Sequence, residues 1–211
     1  MRGLSFIRHL TAVAAASALF AGVFSGSATA EPAALDWVSA VQQLRVAAEG
    51  NPDAEAAVDR LLAEPERLAE AGEIALPAQP FQVPANSDIG RGQGPGVYGS
   101  GIALGIDGFR FGFFGGPGTI SPNQTGAKLE VVWLNLANGR SGTDLLIEHQ
   151  DIPVDTTIRT RVLDTGAGPV VAAVYGSLWH RWSVPVSDDH PDGFQYQLGT
   201  ISFPSLGAVY N

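Results

Sequence analysis

From residue 97 to the C-terminus the hydropathy of this chain repeats every two residues, and that period excludes a helical fold for more than half of its length. Ile102, Leu104 and Ile106 alternate with Ala103, Gly105 and Asp107. Asp107-Gly108 follows, a pair that tolerates the positive φ of tight hairpin turns. Phe109, Phe111 and Phe113 then alternate with Arg110, Gly112 and Phe114. Residues 128–136 read as the next strand, Asn138-Gly139 as a second hairpin signal, and 143–149 as the returning arm. Ile158, Thr160 and Val162 are expected on one face, with Thr157, Arg159 and Arg161 on the other. Residues 166–169 turn the chain. Residues 170–183 form a long strand with Gly176 near its middle, an expected bulge or bend. Residues 194–203 and 207–210 complete the set. About eight short strands with Gly/Pro turns predict a mainly β fold over 97–211. The expected architecture is an antiparallel β-sandwich, or a small barrel, rather than a βαβ fold.

The period before residue 74 is different. Trp37, Val41, Leu44 and Ala48 fall on one face of a helix. Gly50 stops it. Asn51-Pro52 reads as N-cap and first helical residue, and Asp53 and Glu55 suit the positive end of the helix dipole. Val58, Leu61 and Leu62 carry the second stripe, and Pro65 should kink this helix or start a short third one. A helical hairpin is therefore expected over 31–73, joined to the β region by a Pro/Gly-rich linker over 74–96.

Residues 1–30 read as a secretory signal peptide: Arg2 and Arg8, an apolar run over 10–24, and Ala28-Thr29-Ala30 as the small-x-small cleavage signal. Cleavage near Ala30 predicts a secreted or extracytoplasmic envelope protein. It removes two arginines and no acid, taking the formal net charge from −9 to −11. Phosphate backbones need the opposite sign, so nucleic acid is not an expected partner. No later segment is long and apolar enough for a transmembrane helix. The chain has no cysteine, which excludes disulfides, thiol catalysis, thiolate metal sites and lipoprotein acylation.

Three constellations carry candidate chemistry. Asp188, Asp189 and Asp192, with His190 among them, offer oxygen ligands to a hard cation such as Ca²⁺, although the spacing matches no EF-hand loop. The plainer reading is a solvated turn, and no cofactor is required. Glu130 and His149 lie on opposite arms of the hairpin at Asn138-Gly139, where they could meet as an acid/base pair. An ordinary cross-strand charge pair is the plainer reading. In Leu178-Trp179-His180-Arg181-Trp182, alternation puts Trp179 and Arg181 on one face and His180 and Trp182 on the other. One indole should pack inward, leaving Trp179 or Trp182 as an exposed platform for a sugar ring or a peptide. Packing of both is the plainer reading. No Gly-x-Ser-x-Gly elbow, His-Glu-x-x-His or phosphate-binding loop occurs.

The segments 131–143, VVWLNLANGRSGT, and 165–172, TGAGPVVA, resemble small secreted or envelope β-rich proteins of actinobacteria. The likeness spans roughly 100–211 and rests on turn chemistry. It implies an interaction role in the envelope and carries over no site residue. The expected function is non-enzymatic: a secreted β-sandwich protein binding a protein or glycan of the cell envelope. Two alternatives stay open. One is a hydrolase of envelope polymers using Glu130 with His149 or a metal at Asp188, Asp189 and Asp192. The other is an outer-membrane pore subunit, whose strands would also alternate.

Overall fold

The computed structural model describes residues 35–68, 83–85, 99–104, 108–114, 120–149, 157–201 and 203–211. The expected signal peptide, and the expected linker apart from Val83–Ala85, lie outside them. Residues Ala34–Asn211 form one compact unit. The fold is mainly β, with antiparallel sheets and a few short helices.

Local chemistry sets the helices. Asp36 caps α1 (Trp37–Ala47) by accepting from the Ser39 amide at 3.2 Å. Asn51 caps α2 (Pro52–Ala63) by accepting from the amides of Asp53 and Ala54, with Pro52 in the first turn. Pro65 opens a third, one-turn helix, α3 (Pro65–Leu68). Arg45 ties the hairpin together through Asp59 at 2.6 Å.

One sheet has the order β1 (Val83–Ala85), β2 (Gly99–Leu104), β3 (Arg110–Phe114), β7 (Thr157–Arg159), β6 (Glu148–His149). The other runs β10 (Ser205–Tyr210), β8 (Pro169–Ser183), β4 (Leu129–Asn135), β5 (Ser141–Leu145), and β9 (Phe194–Thr200) also pairs with β8. Among the described residues both are open sheets, so the closed-barrel alternative is set aside. β1 contains Pro84, which an edge strand tolerates because one side of it needs no ladder donor.

β4 and the first half of β8 are buried on both faces, which is why 129–135 reads as an apolar run rather than an alternation. Leu129, Val131 and Trp133 cluster with Phe111, Phe113 and Ile158 of the other sheet. Val132, Leu134, Val171, Ala173 and Tyr175 cluster instead with Val41, Leu44, Val58 and Leu61 of the helices. The helical hairpin thus packs on the sheet. Each valine and leucine among them contributes about 1.5–3 kcal/mol when fully buried.

Both hairpin signals hold, with longer loops than the tightest turns. Leu104 faces Arg110 across Gly108, and Leu134 faces Ser141 across Asn138-Gly139. The alternation over 158–162 fails at its end. Ile158 and Thr160 are buried, but Val162 is exposed and Leu163 turns inward.

At Gly176 the long strand β8 changes partners. Up to Gly176 it pairs with β4 and β10, and from Ser177 onward with β9. Gly176 has φ +108°. The Lys128 carbonyl approaches so closely there that it would lie 2.1 Å from any Cβ. The predicted bend is therefore a contact point between two backbones as well as a turn.

Candidate functional site

The second half of β8 and β9 make a two-stranded ribbon whose register sorts its side chains. Trp179 stands opposite Leu198, Arg181 opposite Tyr196, and Ser183 opposite Phe194. Directly opposed residues share a face, so one face carries Trp179, Leu198, Arg181, Tyr196 and Phe194. Leu198 and Tyr196 are exposed there, and Trp179 is half-buried. Arg181 lies over the Phe194 ring at 4.3 Å, and Tyr196 donates its hydroxyl proton to Asp192 at 2.6 Å. That bond lowers the Asp192 carboxyl and raises the Tyr196 phenol from their ordinary values.

Trp179 is held from three sides. The Gln124 carboxamide accepts from the Trp179 amide at 2.8 Å and donates to its carbonyl at 2.8 Å. The Ser121 amide donates to the same carbonyl, and the Trp179 indole N–H donates to the Thr125 carbonyl at 2.9 Å. Gln124 thus stands in for a strand along β8. The polar edge of the half-buried indole is thereby satisfied.

The opposite face carries Leu178, His180 and Trp182. Trp182 is half-buried and lies 5.3 Å from the His180 ring. Parity placed the two tryptophans correctly on opposite faces. Neither is fully buried, so neither is a plain core residue.

His180 is only 1% exposed, and neither ring nitrogen has a hydrogen-bond partner among the described residues. Burial holds its pKa below the ordinary histidine value. The unfolded chain, titrating near 6.5, therefore takes up the proton more readily than the folded one. Stability is full above that pH and falls as the pH drops toward the folded value, at up to about 1.4 kcal/mol per pH unit. Urea midpoints should be flat above about pH 7 and decline as the pH falls below about 6.5. His180→Phe should remove the decline, whereas an unchanged slope in that variant would assign the titration to another group.

Where the ribbon meets α2 there is an open cavity of about 300 Å³. Ser177 of β8 and Thr200 of β9 face each other on its ribbon side. Lys128 joins Glu130 of β4 at 2.9 Å and Asp53 of α2 at 2.9 Å. Glu130 and Tyr175 are register partners on the helix-covered face, and both are buried. A buried carboxylate is costly unless paired, and Lys128 supplies the pairing. Glu130 and Asp53 in turn raise the Lys128 pKa, which keeps it an ammonium and a poor amine nucleophile. Burial first, and then the Glu130 charge, push the Tyr175 phenol up, so it remains an O–H donor.

Glu130 and His149 do not meet as cross-strand neighbours. Glu130 faces Leu145 and Tyr175, whereas His149 faces Ile158 in the other sheet. The chain changes sheets between them: the Leu146 amide still bonds Leu129, and the Ile147 amide already bonds Arg159. Asp188, Asp189 and Asp192 lie exposed in the loop between β8 and β9, where Asp192 also accepts from the Phe194 amide at 3.1 Å. Among the described residues no group of three or more His, Cys, Asp or Glu is placed to hold a metal ion.

Sequence reasoning missed Lys128, Tyr175, Gln124 and the cavity. One signal was available: Lys128 and Glu130, two apart, put opposite charges on one face of an otherwise apolar strand. Among the described residues no helix is long and apolar enough to cross a membrane. No protein-family model, no curated protein and no solved structure matches this chain.

Proposed function

We propose that this is a secreted, non-enzymatic protein with a β-sandwich body that binds a glycan of the cell envelope on the outward face of the β8–β9 ribbon. The sandwich reading is supported by the shared cluster of Phe111, Phe113 and Ile158 with Val131 and Trp133, which joins residues of both sheets. The binding reading rests on one observation. Trp179, Leu198 and Tyr196 form a row on a solvent-facing strand pair, with the indole pinned by Gln124 and Thr125. A rigid aromatic face with its polar edge satisfied suits the apolar face of a sugar ring, because little ordering entropy is left to lose on binding. A glycan is favoured over a protein partner because the row runs into a cavity of carboxylates and hydroxyls rather than into further apolar surface.

The test is a printed array of neutral, N-acetylated and uronic-acid oligosaccharides, followed by titration calorimetry on the best ligand. Trp179→Ala should weaken binding by about 30-fold or more, the scale of a hot-spot residue. Gln124→Ala should weaken it less, by freeing the indole. A specific protein partner with no glycan signal would replace the glycan in this reading. An unchanged affinity in Trp179→Ala would move the site elsewhere.

A further inference from the structure

We infer that the cavity beside α2 seats one uncharged sugar residue, the terminal residue of the glycan whose next ring stacks on Trp179. This rests on the glycan reading above and adds where the chain ends and what its last residue is. At about 300 Å³ the cavity lies at the small end of ligand pockets, room for a single ring rather than a chain. One wall is α2, through Asp53, Ala56 and Arg60. A polymer entering along the ribbon meets that wall and stops.

The cavity's polar groups alternate in kind. Glu130 and Asp53 accept, Lys128 and the protonated Tyr175 phenol donate, and the hydroxyls of Ser177 and Thr200 can do either. Each hydroxyl of a sugar is also both donor and acceptor, so a ring carrying several of them matches this arrangement without bringing a charge. The buried Glu130 carboxylate is engaged by Lys128 at 2.9 Å, and its remaining lone pairs are the acceptor capacity that a ligand hydroxyl would use. Charge sets the rest. Two acids and two bases line the cavity of a chain with net charge −9. A uronic acid would add an anion beside Glu130 and Asp53, and an amino sugar would set an ammonium against Lys128. The spacing also fits: Ser177 at the cavity and Trp179 on the platform share a face two residues apart, about 6.6 Å along the strand.

The same array and calorimetry decide it. Ligands should share an uncharged terminal residue. Oxidising that residue's primary alcohol to a carboxylate should lower affinity by about tenfold or more, since a cavity built around hydroxyls rejects a misplaced charge. Ala56→Trp, at an exposed α2 position on the cavity mouth, should do the same without disturbing a buried group. Glu130→Gln should weaken binding with the melting temperature monitored alongside. If Trp179→Ala abolishes binding while terminal oxidation and Ala56→Trp leave it unchanged, the end-on inference falls and the stacking function stands. If the wild-type protein binds no glycan on the array, the function itself falls and takes this inference with it.

Discussion

Replacing Gly176 by valine is expected to cost about 3–5 kcal/mol, a large share of the roughly 5–15 kcal/mol that holds a domain folded. Two effects add. At φ +108° any side chain is strained, by about 1–3 kcal/mol. The Cβ would also stand 2.1 Å from the Lys128 carbonyl. A carbonyl cannot swing aside as a long side chain can, so β4 and β8 must move apart where the Ser177 amide donates to Lys128 at 2.9 Å. Urea denaturation with circular dichroism gives the measurement, and Gly176→Ala should already show most of the loss. A cost below about 1 kcal/mol for the alanine variant would mean that the two backbones can separate there at little expense.

The second large effect is expected at Phe113. It is fully buried, it belongs to the sheet ordered β1-β2-β3-β7-β6, and it clusters with Val131 and Trp133 of the other sheet. Truncation to alanine removes a large apolar side chain and leaves a hole that the surroundings refill only partly. The expected loss is about 3–5 kcal/mol. If the two sheets form one sandwich core, the protein should still unfold in a single transition at a lower urea midpoint. Two separated transitions, with only one of them shifted, would show that the sheets are independent and would count against the sandwich.

Most of the strands and the helical hairpin were legible in the sequence because their signals are local. Asn51-Pro52 carries its own cap, Asn138-Gly139 its own turn, and the alternation at 109–113 its own inward face. The change of sheet between Leu146 and Ile147 was not legible, because nothing in a strand's own pattern says which neighbour it will pair with. The Glu130–His149 pairing failed for that reason alone. The strand at Val83–Ala85 was hidden by its proline, which only an edge position permits. Parity gave the faces of Trp179 and Trp182, but not which face meets water, since that depends on what lies across them. The cavity was furthest from view. Lys128 and Asp53 are 75 residues apart in the chain, and Asp53 is fully accounted for locally as a favourable charge at a helix N-terminus.

Lys128 also has a practical consequence. It is the only lysine in the chain, so amine-directed reagents have one side chain to modify besides the α-amino group. Its ammonium is half-exposed, yet its two carboxylate partners keep it protonated. Acylation near neutral pH should therefore favour the α-amino group, whose unperturbed pKa is close to 8, and reach Lys128 only under alkaline conditions. A fluorophore attached at high pH, after the α-amino group has been blocked near neutral pH, would sit as a single reporter at the mouth of the cavity.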